Sequence, residues 1–271
     1  MNPPLNMPRL IFIICFFVFI PQTFARSFDG VTEPIASSVI GLTVSGRIDS
    51  LWVSEGQFVK KGDVILNLNK EDEEIQASMT KLILENTAGL VSAKSKKEIY
   101  GKDYLATKKL FETSTSVSEE QVWQKELEYK SALAEYENLV MTEEKERLEY
   151  EMALIQLEKR ILRAPYDGEI VRINKNKSES VQALEDLVEI ADVHFCRMIS
   201  YIPAAAASVL KKNQEVRLLL DGGRQKRYKK GKIDFISPVI DRSSMLRTVK
   251  VIFNNEDKAI EPGVTGKIIL K

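Results

Sequence analysis

The chain has little of what most enzymes use. Among its 271 residues there is a single histidine, His194, and there are two cysteines, Cys15 and Cys196. One imidazole excludes a multi-histidine metal centre, and it makes a Ser-His-Asp relay an unpromising template. A lone cysteine in the body of the chain has no internal disulfide partner, and the strand-like context HFCRMISYI reads as a small buried thiol. No glycine-rich phosphate loop, Cys pair or nucleophile motif is present, and the methionines do not cluster as soft-metal ligands. Paired acids such as Glu73-Glu74 and Glu143-Glu144 fall in helical stretches and point about 100° apart, which makes them solvated surface and not an acid–base pair. These absences point away from catalysis.

Long apolar runs are also missing, with one exception. Residues 10–20, LIFIICFFVFI, follow Arg9 and end at Pro21. Eleven residues span about 16 Å as a helix, roughly half a bilayer core. With the small-residue spacing of Thr23-Phe24-Ala25, residues 1–25 read as a cleaved export signal. Cys15 lies inside the run, not at its end, so it does not read as a lipidation site.

Net charge is absent as well, but only as a sum: 39 basic and 39 acidic residues. Residues 71–163 hold 14 basic against 20 acidic side chains, 14 − 20 = −6, while residues 192–271 hold 16 against 8, 16 − 8 = +8. Such segregation indicates modules with different surroundings.

The acidic stretch predicts two helices. From Glu71 to Phe111, and again from Ser118 to Arg163, there is no proline. In the second, Tyr129, Leu133, Tyr136, Val140, Tyr150, Leu154, Leu157 and Ile161 alternate by four and three, broken only at Glu143 and Arg147, as in a coiled coil. The first fits the same frame more loosely, through Ile75, Met79, Leu82, Ala93, Tyr100 and Leu110, and it carries Gly89 and Gly101 at about 1 kcal/mol each against alanine. Ser118 followed by Glu119, Glu120 and Gln121 predicts a capping box after a polar turn. Antiparallel arms of about 40 residues would reach about 60 Å.

Flanking this hairpin are two β-rich stretches of similar rhythm, GRIDSLWVSEGQFVKKGDVILNLN and RAPYDGEIVRI…SVQALEDLVEIAD. They resemble the split lipoyl-type domain of HlyD-type periplasmic adaptors, the membrane fusion proteins of tripartite efflux pumps and type I secretion systems. The residues that carry the likeness are Gly46, Val53, Glu55, Gly56, Val59, Lys60, Lys61, Gly62, Ala164, Pro165, Gly168 and Asp192, and the C-terminal stretches PVIDRSSMLRTVKVIFNN and EPGVTGKIIL resemble that family's β-barrel.

The resemblance implies an elongated, multi-domain α+β protein. Its expected parts are a signal peptide (1–25), a barrel strand with the first lipoyl-like half-motif (26–70), and a coiled-coil hairpin (71–163) with its tip near 112–118. The second half-motif (164–191) and a β-barrel (192–271) follow. It also implies a non-enzymatic, cofactor-free role in the periplasm, as a homo-oligomer bridging an inner-membrane transporter of RND or ABC type to an outer-membrane channel. Leu110, Phe111, Val117 and Ser118 at the tip would meet the channel. Two features depart from the family pattern: Ser178-Glu179-Ser180 replaces the usual Gly-Glu, and Thr107, Lys108 and Lys109 stand where a tip arginine is common.

Two alternatives remain open, an envelope scaffold without transport and a carrier domain modified at Lys70. RQKRYKKGK, residues 224–232, holds six basic residues. In an exported chain this reads as a solvated hairpin turn, or as a contact with a membrane surface, and not as a nucleic-acid site.

Overall fold

The computed structural model describes residues 26–114, 116–222 and 225–270. The proposed signal segment 1–25 lies outside them. In chain order the elements are β1 (Arg26–Ile40), β2 (Gly46–Leu51), β3 (Phe58–Val59), β4 (Val64–Leu68), α1 (Glu71–Glu85), α2 (Ala88–Thr113) and α3 (Glu119–Glu158). After the helices come β5 (Ile161–Arg163), β6 (Gly168–Ile173), β7 (Ser180–Val181), β8 (Val188–Pro203), α4 (Ala204–Ala207), β9 (Glu215–Gly222), β10 (Gln225–Ile236), β11 (Leu246–Asn254) and β12 (Thr265–Leu270). The chain divides into two compact units, Pro34–Val193 and the remainder, and it crosses between them inside β1 and inside β8.

In the unit formed by the two ends of the chain, the strands run β1-β12-β9-β10-β11-β8, and β8 pairs back with β1 to close a six-stranded barrel. Alternation with period two fills it. Cys196, Met198 and Ile202 of β8, Val216, Leu218 and Leu220 of β9, and Val249, Val251 and Phe253 of β11 all point inward and are buried. Cys196 is thus a core side chain. The closing seam is tight: Ser200 Oγ donates to the Asp29 carbonyl at 2.6 Å.

The basic run departs from its expected form. Residues 225–232 are not a turn but a strand of β10 paired residue by residue with β9, from Gln225 opposite Gly222 to Lys232 opposite Glu215. Gly223 and Arg224 lie outside the described residues.

In the Pro34–Val193 unit, strands before the helices pair with strands after them. β2 pairs with β7, β3 with β6, and β4 with β5. Their shared core holds Ile48, Val59, Ile65, Leu66 and Leu68 from the first stretch and Leu162, Ile170, Val181, Leu187 and Ile190 from the second. Neither stretch could bury these side chains alone.

The helices differ from the sequence expectation in three ways. Helix α3 stops at Glu158, and Ile161–Arg163 is recruited as a strand against β4. The first arm is interrupted at Asn86–Thr87, so it is two helices. The interruption also resets the heptad frame. Half-buried or buried positions run 73, 77, 80, 84 in α1 but 90, 93, 97, 100, 104, 107 in α2. A frame drawn back from Ala93 therefore misses by two residues, and Ile75, Met79 and Leu82 face solvent.

The third difference is the seam of α3. The buried and half-buried positions are 122, 125, 126, 128, 129, 132, 133, 136, 139, 143, 146, 150, 153 and 157, so the expected Leu133 is half-buried beside the buried Ala132. Tyr129, Tyr136, Tyr150 and Leu157 are on the seam as expected, but the alternate rank is shifted by one. Ala132 (2% exposed) and Ala153 face the first arm, while Val140 and Leu154 are exposed. Small side chains let the helices approach closely, and the gaps beside them are filled by tyrosines and lysine stems.

Gly89 and Gly101 do different things. A Cβ at Gly89 would meet nothing within 4 Å, whereas at Gly101 it would lie 3.1 Å from the Tyr129 ring. Gly89→Ala is expected to raise stability by about 0.5–1 kcal/mol, measurable as a later denaturant midpoint with unchanged slope.

Candidate docking surface at the hairpin tip

The tip is built by two helix ends. Helix α2 closes at Ser114, whose backbone N–H and hydroxyl both donate to the Leu110 carbonyl, at 2.9 and 3.0 Å. Helix α3 opens with the anticipated capping box: Gln121 N–H donates to Ser118 Oγ at 3.3 Å, and Ser118 N–H donates to Gln121 Oε1 at 2.9 Å. Glu119 and Glu120 sit at the positive end of the helix. Val117, half-buried, and Val122, buried, occupy the flanking positions of a hydrophobic staple. Thr115 lies outside the described residues.

This local chemistry fixes which side chains face outward. Leu110 and Phe111 are exposed on the last turn of α2. Ser118 has its hydroxyl engaged as the cap acceptor, and Val117 is turned partly inward. Trp123, 61% exposed, stands on the first turns of α3 and was not among the residues singled out from sequence. Its signal was available: it follows the buried Val122 directly, so it cannot also face the seam. Leu105 and Leu127 extend the apolar surface away from the tip.

Below the tip the two arms are joined by polar contacts. Lys125 bridges α3 to α2 through Asp103 at 3.2 Å, and it also holds Glu128 at 3.0 Å. Lys96 binds Glu135 at 2.7 Å. These carboxylates raise the pKa of both lysines, Glu128 acting most strongly on Lys125 and Glu135 on Lys96, so both remain charged at neutral pH. The Tyr104 and Tyr129 rings stack at 6.1 Å, and Lys97 lies 4.3 Å above the Tyr136 ring.

The residues that carry the half-motif resemblance all fall in the strand-paired part of the Pro34–Val193 unit. Gly56 and Gly62 have φ of +81° and +91°, and their N–H groups donate across to the Ile170 and Ala164 carbonyls at 2.7 and 2.8 Å. Glu55 accepts from Ile173 N–H at 2.9 Å. Val59 pairs with Gly168, and Gly46 with Val181. Pro165, exposed, follows the buried Ala164. Each contact links one stretch to the other, so these residues join the two segments. Lys70 caps α1 and binds Glu74 at 2.5 Å. No cluster of three or more metal-ligating side chains occurs among the described residues, nor any helix long and apolar enough to cross a membrane.

No protein-family profile matches the chain, and no curated protein is similar to it in sequence. Solved structures are. MacA from Actinobacillus actinomycetemcomitans matches with a TM-score of 0.71 at 21% identity, covering 91% of this chain and 78% of that one. The membrane fusion protein Spr0693 from Streptococcus pneumoniae R6 matches at 0.57 and 13% identity, over 91% and 98% of the two chains. The chain has the membrane fusion protein fold. A MacA chimera bearing the Pseudomonas aeruginosa MexA α-hairpin domain also matches, at 0.58 and 22% identity over 91% and 79%. Within this fold, Leu110, Phe111 and Trp123 are large apolar side chains exposed near the end of the hairpin.

Proposed function

We propose that this protein is a periplasmic adaptor of the HlyD type, linking an inner-membrane transporter of RND or ABC class to an outer-membrane channel. The observation that carries the reading is the helical hairpin itself, whose second arm opens on a capping box and which exposes Leu110, Phe111 and Trp123. The strand-paired module is read as a split lipoyl-like domain, with the barrel strand and first half-motif in 26–70 and the second half-motif in 164–191 bracketing the hairpin 71–163. The barrel, 192–271, completes the adaptor. Its work is assembly and needs no covalent chemistry.

Side-by-side copies fit this reading. Helix α1 exposes Ile75, Met79 and Leu82, and α3 exposes Leu148, Met152 and Ile155, each set at i, i+4, i+7, with Met152 also edging the groove between α1 and α3. Two such stripes on opposite arms suit head-to-tail contacts around a closed ring.

Photo-crosslinkers at Phe111 and Trp123, in cells with an intact envelope, test the bridge. Capture of an outer-membrane channel protein is expected from both positions, and it should fall sharply in Phe111→Asp or Trp123→Asp backgrounds. Capture of sister subunits alone, in cells that make the channel, would instead mark the chain as an envelope scaffold.

A further inference from the structure

The strands of the barrel bring several connections to one end. β1 begins at Arg26 opposite Leu270, where β12 finishes. β8 ends as Pro203 faces Leu246, where β11 begins. β9 begins at Glu215 opposite Lys232, close to the end of β10. The connections 204–214 and 237–245 therefore share this end with the start of β1, which runs back in sequence toward the apolar segment 10–20.

Both connections hold large apolar side chains out of the protein. Val209, Val239 and Met245 are 73%, 70% and 62% exposed, and Ile240 is also exposed. They do so from ordered backbone. Ala206, Ala207 and Leu210 are buried in the barrel core on either side of Val209. The 237–245 connection is tied by Asp241, whose Oδ1 accepts from Ser243 N–H and Oγ–H at 3.0 and 2.6 Å and from Ser244 N–H and Oγ–H at 2.8 and 2.9 Å. Arg247 Nε donates to the Ser237 carbonyl at 2.7 Å, fixing its other end.

The surrounding charge is positive. Lys211, Lys212 and Arg242 are exposed, and among the described residues none is in an ion pair. Asp241 is the one acid of the 237–245 connection, and its four donors, led by the Ser243 hydroxyl, pull its carboxyl down to about 2. It is bound to its own loop. Glu215 and Asp234 are the other acids at this end, and on the basic run of β10 Lys229 pairs with Asp257 at 2.7 Å while Lys226 faces Asp221 across the ladder.

Apolar side chains displayed from fixed loops and ringed by unpaired cations suit one surface, an anionic bilayer, where hydrocarbon enters the headgroup layer and cations meet phosphate. We propose that this end of the barrel docks on an anionic phospholipid membrane, with Val209, Val239, Ile240 and Met245 entering the interface and Lys211, Lys212 and Arg242 contacting phosphates. The surface is separate from the hairpin tip, and vesicle binding requires no channel, so its failure would leave the adaptor reading untouched.

The test is sedimentation of the chain, as cells release it, with vesicles of equal parts phosphatidylglycerol and phosphatidylcholine, and with phosphatidylcholine alone. Binding is expected only to the anionic vesicles and should weaken with salt. Lys211→Glu with Lys212→Glu should lower affinity by about fivefold per lysine, and Val239→Ser with Met245→Ser should lower it at unchanged charge. A polarity-sensitive dye on Val239→Cys should shift to the blue on binding, whereas the same dye on Lys226→Cys, at the opposite end of the ladder, should not. Wild-type chain that ignores anionic vesicles, or a shift at Lys226→Cys in place of Val239→Cys, would overturn the proposal. So would Lys211/Lys212 variants that bind vesicles normally but lose a transporter in detergent, since that outcome assigns the surface to a protein.

Discussion

Alanine at Gly30 should destabilise the barrel by about 2–4 kcal/mol. A Cβ there would lie 2.4 Å from the Ile199 carbonyl oxygen and 2.9 Å from Met198 Cε. The methionine end can move, but the carbonyl cannot easily. β8 is held on its far side by β11, with Ile199 opposite Lys250, and β1 is held on its far side by β12, with Gly30 opposite Gly266. Relief therefore requires separating β1 from β8, which opens the barrel along its closing seam and releases the Ser200–Asp29 hydrogen bond. Hydrogen exchange offers a direct readout. Amides of Ile199 and Ser200 should lose protection in Gly30→Ala, whereas Trp52 and Trp123, both in the Pro34–Val193 unit, should report an unfolding transition little changed. A variant within about 0.5 kcal/mol of the parent would show that the seam does not close the barrel as described.

Gly56 and Gly62 make a useful contrast. Neither has any atom near its absent Cβ, and each is required only for its positive φ. Alanine there pays local backbone strain of about 1–2 kcal/mol and displaces no neighbouring strand. The distinction between a glycine kept for conformation and one kept for approach is invisible in sequence, where Gly30 attracted no notice and Gly56 and Gly62 stood out in a motif.

The same limit runs through the fold. The capping box was legible in detail because Ser118 and Gln121 act on backbone three residues apart, with no distant partner needed. The inserted hairpin was legible because acidic residues set in abruptly at Glu71-Asp72-Glu73-Glu74 and Pro165 follows its far end. The seam was read with its frame only half right, since hydrophobicity favours Leu133, Val140 and Leu154 while close packing favours Ala132 and Ala153. The break at Asn86–Thr87 carries no proline and reveals itself only when both arms are laid against α3. Trp123 was legible in principle, because the three-four spacing run back from Tyr129 puts its neighbour Val122 on the seam. For the β-rich stretches, the rhythm of each half was visible, but cross-pairing of β2 with β7, β3 with β6 and β4 with β5 depends on contacts made across the whole helical insertion.

The shifted seam can be tested by paired substitutions that invert the expectation from hydrophobicity. Ala132→Leu and Ala153→Leu add an apolar side chain, which a frame centred on large residues would welcome. In this structure both alanines lie between closely approaching helices, so each substitution should force the arms apart at a cost of about 1–3 kcal/mol. Leu154→Ser and Val140→Ser remove apolar side chains that are already exposed, and each should change stability by no more than about 0.5 kcal/mol. Helical content on heating, followed by circular dichroism, distinguishes the two frames, because most of the helical residues belong to this hairpin. Should the serine variants lose stability while the leucine variants gain it, the arms must meet through Leu133, Val140 and Leu154 after all.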